Sequence, residues 1–241
     1  MIIYGIHPVA EALKSGRVRE VRVSGSGNER VRALLAEAEA LGIRIRRVAP
    51  DVLARAAGGG VHQGVVADVG AAETIGLEDL VAGGEGVPLI VVLDGVEDPH
   101  NLGAILRSVD AAGATGIVRQ TRRAAPLDGA AAKASAGAVH HVRVADVVNV
   151  ARAVEDLKAA GVWTVGLDAE GEIPYHDVDL TLPTAVVLGA EGHGLRRLVR
   201  ERCDVRAAIP MAGHVGSLNV SVAAAVVLFE AVRQRRSRGR S

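Results

Sequence analysis

Of 241 residues only one is a cysteine, Cys203, so no disulfide can form within the chain and no thiolate cluster is available for a metal. Aromatics are nearly missing, with one Trp, two Tyr and one Phe. No apolar run approaches the ~18 residues of a membrane span. The N-terminus lacks the charged and apolar blocks of a signal peptide. A cytoplasmic, reducing location with no membrane partner is therefore expected. The eight histidines show neither HxxxH nor HExxH spacing, and His140-His141, read as neighbours on a strand, would point to opposite faces. No metal is expected. A G-x-S-x-G nucleophile elbow is also missing, and Cys203 has no evident base beside it.

Formal net charge is zero, so bulk charge announces neither DNA nor RNA. The distribution says more. Residues 71–86 carry acids and no base, and the tail Arg233-Gln-Arg-Arg-Ser-Arg-Gly-Arg is strongly basic. Only three of the 28 cationic residues are lysine. Arginine suits phosphate contacts, although a genome-wide codon bias produces the same preference.

What the chain does have is alanine, valine and glycine, with 49% hydrophobic residues and 29 glycines. That is the composition of an α/β globule. From the N-terminus the pattern gives a strand at 2–5, a helix from about Pro8 to Lys14 and a strand at 20–23. A helix capped by Asn28 follows, then an alternating strand at 43–48, a short helix at 52–57 and a strand at 64–69. Residues 1–70 thus form a small α/β domain. The acidic, glycine-rich stretch 71–86 reads as a linker with at most one helical turn near Leu77–Val81. From 87 to 241 the strands become continuously apolar, as in Leu89-Ile-Val-Val-Leu, and alternate strictly with helices. One of these helices is Ala-rich and expected from about Leu127 to Ala138. This is the pattern of an open parallel sheet covered on both faces, whose ligands sit at the carboxyl ends of the strands.

Three strand-to-helix turns stand out there. In the first, Asn101 is placed to cap a helix over 101–112, and Arg107 projects opposite the apolar stripe Leu102, Ile105, Leu106, Val109. Read alone, these are a cap and a solvated arginine. In the second, Leu188-Gly-Ala-Glu-Gly-His-Gly-Leu, three glycines let the backbone turn tightly and carry Glu191 in mid-loop. The order G-x-x-G-x-G is not a dinucleotide fingerprint, and no P-loop lysine follows. In the third, Ile209-Pro-Met-Ala-Gly-His-Val-Gly-Ser-Leu-Asn-Val-Ser, Ser217 reads as the N-cap of a long apolar helix. Capping leaves Asn219 unexplained.

Taken together, Asp98-Pro-His-Asn-Leu-Gly-Ala-Ile-Leu-Arg-Ser and the second and third turns resemble, in order, the three motifs of the SpoU (TrmH-like) RNA 2′-O-methyltransferases. Tyr4-Gly-Ile-His-Pro-Val-Ala-Glu-Ala-Leu and His62-Gln63-Gly64 resemble the family's small L30-like substrate-binding domain, so the resemblance covers essentially the whole chain. It implies a SPOUT-type α/β fold with a trefoil knot in the C-terminal domain, which the pattern alone would have drawn as an ordinary doubly wound sheet. It implies S-adenosylmethionine as cofactor, held at Gly189, Ile209 and Leu218. Asn101, Arg107, Glu191, Ser217 and Asn219 match the family's catalytic and RNA-positioning residues. A homodimer with its active site completed across the interface is implied as well. The wording Ile-Pro-Met-Ala-Gly and the ending Leu-Phe-Glu-Ala-Val-Arg-Gln-Arg are most similar to members that methylate a guanosine of 23S rRNA. A tRNA ribose methyltransferase, or a non-catalytic RNA-binding or resistance protein on the same scaffold, are the alternatives. Gly216 stands where relatives often have serine, and the loop 119–126, Arg-Gln-Thr-Arg-Arg-Ala-Ala-Pro, is unusually rich in arginine.

Overall fold

The structure, a computed structural model, describes residues 2–25, 27–70, 75–84, 86–122, 124–127 and 129–238. Parts of the expected linker, of the 119–126 loop, of the helix expected from Leu127 and of the basic tail lie outside these residues. The N-terminal unit comprises β1 (Ile2–Tyr4), α1 (Ile6–Lys14), β2 (Val18–Val23), α2 (Glu29–Ala40), β3 (Arg44–Arg47), α3 (Pro50–Ala56) and β4 (Val65–Val69). Its sheet has the order β1-β4-β2-β3, with β4 antiparallel to both neighbours and β2 parallel to β3. Helix α1 starts at Ile6, so Pro8 is its third residue and not its first. Gly5 offers no side-chain cap, and Gln63 Oε1 instead accepts the Ile6 N–H at 3.0 Å. Asn28 caps α2 as expected, accepting the Val31 N–H at 3.0 Å. Strand β3 lies at the sheet edge. Its arginines are exposed and Ile45 is only half-buried, which suits an edge that must not pair further.

Helix α4 (Leu77–Ala82) is longer than the single turn expected, because Leu80 is fully buried in the core formed with the next unit. That unit runs β5 (Leu89–Asp94), α5 (Pro99–Ala111), β6 (Gly116–Gln120), α6 (Gly129–Ala134), β7 (Val144–Val147), α7 (Val150–Ala159), β8 (Trp163–Leu167), β9 (Ile173–Pro174), β10 (Thr184–Gly189), α8 (Arg197–Arg202), β11 (Val205–Ala208) and α9 (Val220–Arg238). Its seven strands, in the order β7-β6-β5-β10-β8-β11-β9, are all parallel. Period-two alternation sorts the central strands between two cores. Leu89, Val91 and Leu93 face α5 and α9, whereas Ile90 and Val92 face α7 and α8. The first core continues into Ile3, Val9 and Leu13 of the N-terminal unit, so both sheets share it. Among the described residues no helix is long and apolar enough to cross a membrane.

Four local expectations need correction. Helix α5 is capped by Asp98, which accepts the His100 N–H at 2.9 Å, and Pro99 occupies the first helical position. Asn101 is thereby inside the helix. Helix α9 is capped by Asn219, whose Oδ1 accepts the Ser221 N–H at 2.9 Å; Ser217 stays outside, exposed. The expected Ala-rich helix stops at Ala134, because Ala136 and Gly137 adopt left-handed φ values of 51° and 94°. His140 lies in the short 3₁₀ turn after that break, not on a strand, and β7 begins only at Val144. It is buried beneath Arg17, which donates to its carbonyl oxygen. At its far end α9 is held by Arg235. This residue donates from Nη1 to Val87 O (2.6 Å), from Nη2 to Pro88 O (3.0 Å) and Leu182 O (2.9 Å), and from Nε to Leu180 O (2.9 Å).

Two outcomes follow from this packing. At Gly103, in the α5–α6 contact, an added Cβ would overlap the Ala134 side chain and the Ala131 carbonyl. Gly103→Ala should therefore cost about 1–3 kcal/mol through overpacking, outweighing the ~1 kcal/mol of helix propensity gained. Urea unfolding should show a lower midpoint with an unchanged slope. Burial, with Arg17 and His141 nearby, pushes His140 down to about 4. Above its ordinary value near 6.5 both folded and unfolded states hold it neutral. As pH falls from there toward 4 the unfolded chain takes up a proton that the fold refuses. Stability should fall across that window, on the order of 3 kcal/mol in all. Unfolding midpoints of His140→Gln should depend less on pH over the same range than those of the wild type.

Candidate active site

The carboxyl ends of β8, β10 and β11 open onto a cavity of about 510 Å³. A cavity of that size holds a molecule as large as a nucleoside with a side chain. β10 ends at Gly189, where a Cβ would collide with the backbone of Gly194 and Leu195, so only glycine lets the chain fold back so closely. The Ala190 N–H donates to Gly194 O (3.2 Å) and the Gly194 N–H to Ala190 O (2.9 Å). Gly192, at a left-handed φ of 80°, turns the tip between them. This small loop fixes Glu191 beside the cavity.

Glu191 joins three turns that are far apart in sequence. Its Oε2 accepts from Asn101 Nδ2 at 3.1 Å and its Oε1 from Asn219 Nδ2 at 2.9 Å. Asn219 Nδ2 also donates to Asn101 Oδ1 at 3.0 Å, closing a triangle. Asn219 Oδ1 is taken by the Ser221 N–H and, at 2.6 Å, by the Ser221 hydroxyl. Every hydrogen-bonding position of this carboxamide is thus used. Because its oxygen caps α9, its NH₂ group must face the carboxylate. Asn101 is only 7% exposed, and the carboxylate lies by the helix N-terminus, where the macrodipole favours negative charge.

Of the residues singled out in the sequence, Gly189, Glu191, Ile209, Ser217 and Leu218 line the cavity, and Asn101 and Asn219 bond to Glu191. Arg107 is not brought in. It is exposed on α5, six residues past Asn101, and is not among the residues that line the cavity. Sequence reasoning missed Asp168, Glu170 and Arg200 in the wall. Asp168 pairs with Arg200 at 2.9 Å. The available signal was positional: Asp168 directly follows the apolar strand β8, where a polar residue enters the ligand-binding end of a parallel sheet. The wall thus has three carboxylates, Asp168, Glu170 and Glu191, against one arginine, a balance suited to a ligand carrying positive charge.

Residues 88–229 match the SpoU rRNA Methylase family, and residues 2–75 match the RNA 2′-O ribose methyltransferase substrate binding family. A 23S rRNA (guanosine-2′-O-)-methyltransferase RlmB from Pseudomonas syringae pv. tomato is 45% identical over 97% of this chain and 95% of its own. The RlmB of Xanthomonas campestris pv. campestris is 46% identical over 97% and 96%. Among solved structures, the SpoU methyltransferase AviRb from Streptomyces viridochromogenes in complex with the cofactor AdoMet superposes with a TM-score of 0.82. It is 32% identical and covers 98% of this chain and 91% of that one. The A. aeolicus TrmH/SpoU tRNA modifying enzyme superposes at 0.59 with 32% identity, over 68% and 84% of the two chains. With two motif turns lining one cavity, the first turn bonded to Glu191 beside it, and the match extending over most of its length, the chain belongs to the SpoU rRNA methylase family.

Proposed function

We propose that this protein transfers the methyl group of S-adenosylmethionine to a ribose 2′-hydroxyl of RNA, the acceptor being a guanosine of 23S rRNA. The observation that carries the reading is the Glu191–Asn101–Asn219 triangle beside a cavity with a carboxylate-rich wall. The relatives named for that reaction match over nearly the full length, which supports the ribosomal substrate. The tRNA-modifying relative covers only 68% of this chain, which favours ribosomal over transfer RNA. An rRNA substrate also implies a cytoplasmic enzyme.

The cofactor supplies, when bound, a methyl group already activated by the sulfonium. The chain has only to hold the acceptor in line and manage one proton. The bare backbone at Gly189 and the apolar side chains of Ile209 and Leu218 suit the cofactor's body, and the three carboxylates suit its positive charge. Asn101 and Asn219, fixed by Glu191, orient groups at the reacting end, and Ser217 stands on the same wall. Arg107 serves in this reading as a phosphate ligand and not as the base. Its planar fork binds a substrate phosphate and stabilises charge developing on the 2′-oxygen, while the phosphate or a neighbouring group takes the proton.

A homodimer belongs to this reading. The outer face of α9 shows Val222 and Phe229, about half exposed and two turns apart, with half-buried Ala225, Val226 and Val232 along the same side. Such a stripe fits a second copy of the chain. Pairing through it would let Arg107 of one copy serve the cavity of the other, which explains why its own fold leaves it outside. The trefoil knot is part of the same proposal. Loops 189–194 and 209–218 line one cavity with no disulfide between them, and a threaded chain would keep them there.

Tritium transfer from labelled cofactor to unmodified 23S rRNA tests the activity, and the same RNA fragment with a 2′-deoxyguanosine at the acceptor position should take up no label. Glu191→Gln sets an NH₂ against an NH₂ in the triangle. It should lower kcat on the order of 10²-fold by misplacing the two asparagines. Cofactor affinity measured by calorimetry should change far less. Arg107→Lys keeps the charge but loses the fork and should also lose most activity. Full activity in that variant would remove the fork from the mechanism.

A further inference from the structure

A second fixed group stands at the same edge of the sheet and takes no part in the triangle. Asp94 ends β5 level with Gly189 of β10, and its carboxylate is 0% exposed. Its Oδ2 accepts the backbone N–H of Arg196 at 2.8 Å, and its Oδ1 accepts Arg196 Nε at 2.6 Å and also pairs with Nη2. The same Nη2 donates to Gln120 Oε1, at the end of β6, at 2.8 Å. A carboxylate buried this completely needs a partner. A fully buried cation would have met that need, yet the Arg196 side chain remains 52% exposed. Of its five N–H donors, those on Nε and Nη2 are engaged, and no described residue accepts from Nη1. The guanidinium is therefore held at the carboxyl ends of β5 and β6 through Nε and Nη2, with Nη1 left for a ligand.

The described residues Arg119, Thr121 and Ala125, on either side of Gln120 in the chain, are tied down as well. Arg119 Nε donates to Asp146 Oδ1 at 2.7 Å and its Nη1 to Ala125 O at 2.8 Å. The Ala125 N–H donates to Val96 O at 2.9 Å, and the Thr121 N–H to Val147 O at 2.9 Å. Arg122, two residues past Gln120, is exposed.

We propose that Arg196 binds a backbone phosphate of the substrate RNA next to the methylated nucleotide, with Asp94 and Gln120 as the residues that position it and Arg122 adding charge beside it. A guanidinium locked in place by a buried carboxylate gives up little freedom on meeting a phosphate, and both donors of its Nη1 remain for that contact. Arg196 and Glu191 lie on one loop. A phosphate seated on the first therefore sets the distance of the neighbouring ribose from the second. The proposal rests on the RNA-methylating function inferred above.

The test uses the full chain, an in vitro transcribed 23S rRNA fragment and S-adenosylmethionine. Arg196→Ala should weaken RNA binding about tenfold at 0.1 M salt. It should also flatten the plot of log affinity against log salt by about 0.7–0.9, the contribution of one phosphate contact. Cofactor affinity by calorimetry should stay within twofold. Arg196→Lys and Asp94→Asn keep the positive charge and should retain the salt slope while losing affinity several-fold, because the fork is gone or no longer held. Unchanged RNA affinity and slope in Arg196→Ala would overturn the proposal. So would a fall in cofactor affinity parallel to that for RNA, which would make Arg196 only a brace of the 189–196 loop. A wild-type protein that binds RNA with these variant effects but transfers no methyl would sink the methyltransferase reading and leave the phosphate site standing.

Discussion

The carboxylate of Glu191, gripped by two carboxamides, is the contact on which the site depends. It joins the start of α5, the loop after β10 and the start of α9, none of which touches its partners through sequence proximity. Hydrogen bonds to a charged group are worth about 1.5–3 kcal/mol each, and stranding a partner costs a comparable amount. The triangle therefore acts as a unit. Asn219 serves it twice, since the oxygen that caps α9 forces the NH₂ toward the carboxylate. Helix formation and site assembly are one event at this residue.

Beneath the triangle, the parallel sheet sets the levels. Gly189 lies in register with Asp94 on one side, and Leu188 with Leu167 on the other, so the strand ends form an even floor beneath the cavity. Both faces of that floor are closed by separate apolar cores, and one of them runs on into the N-terminal sheet. The substrate-binding unit is thus seated on the catalytic unit by shared hydrophobic burial as well as by chain connectivity.

The strands of the large sheet were legible because continuous apolar runs such as 89–93 leave little choice in a two-faced core. The three turns stood out because polar residues and glycines directly follow such runs, but read alone they gave caps, a solvated arginine and a tight turn; their chemistry came from the family resemblance. Local readings failed where two capping residues compete. Asp98 and Asn101 both suit an N-cap, and Pro99 decides for Asp98 because it fits the first helical position. Ser217 and Asn219 pose the same choice, and the structure resolves it the other way from the sequence reading. In both cases the misread asparagine is the one the triangle uses. The pairing itself spans 90 and 118 residues, a separation that no local pattern encodes. His140 was misplaced for a simpler reason: a left-handed Ala136 breaks the helix without any proline, and alanine gives no warning of it.

Arg235 fastens the far end of α9 to four carbonyl oxygens in the segments before β5 and β10, while Asn219 fastens its near end to the triangle. The helix is a strut with both feet on loops from distant parts of the chain. Closing such long loops is slow, because the entropy is lost before any contact rewards it. Asn101 and Asn219 meet only when this helix is docked. The geometry of the triangle is thus hostage to the docking of one helix, held at its other end by a single arginine some sixteen residues away.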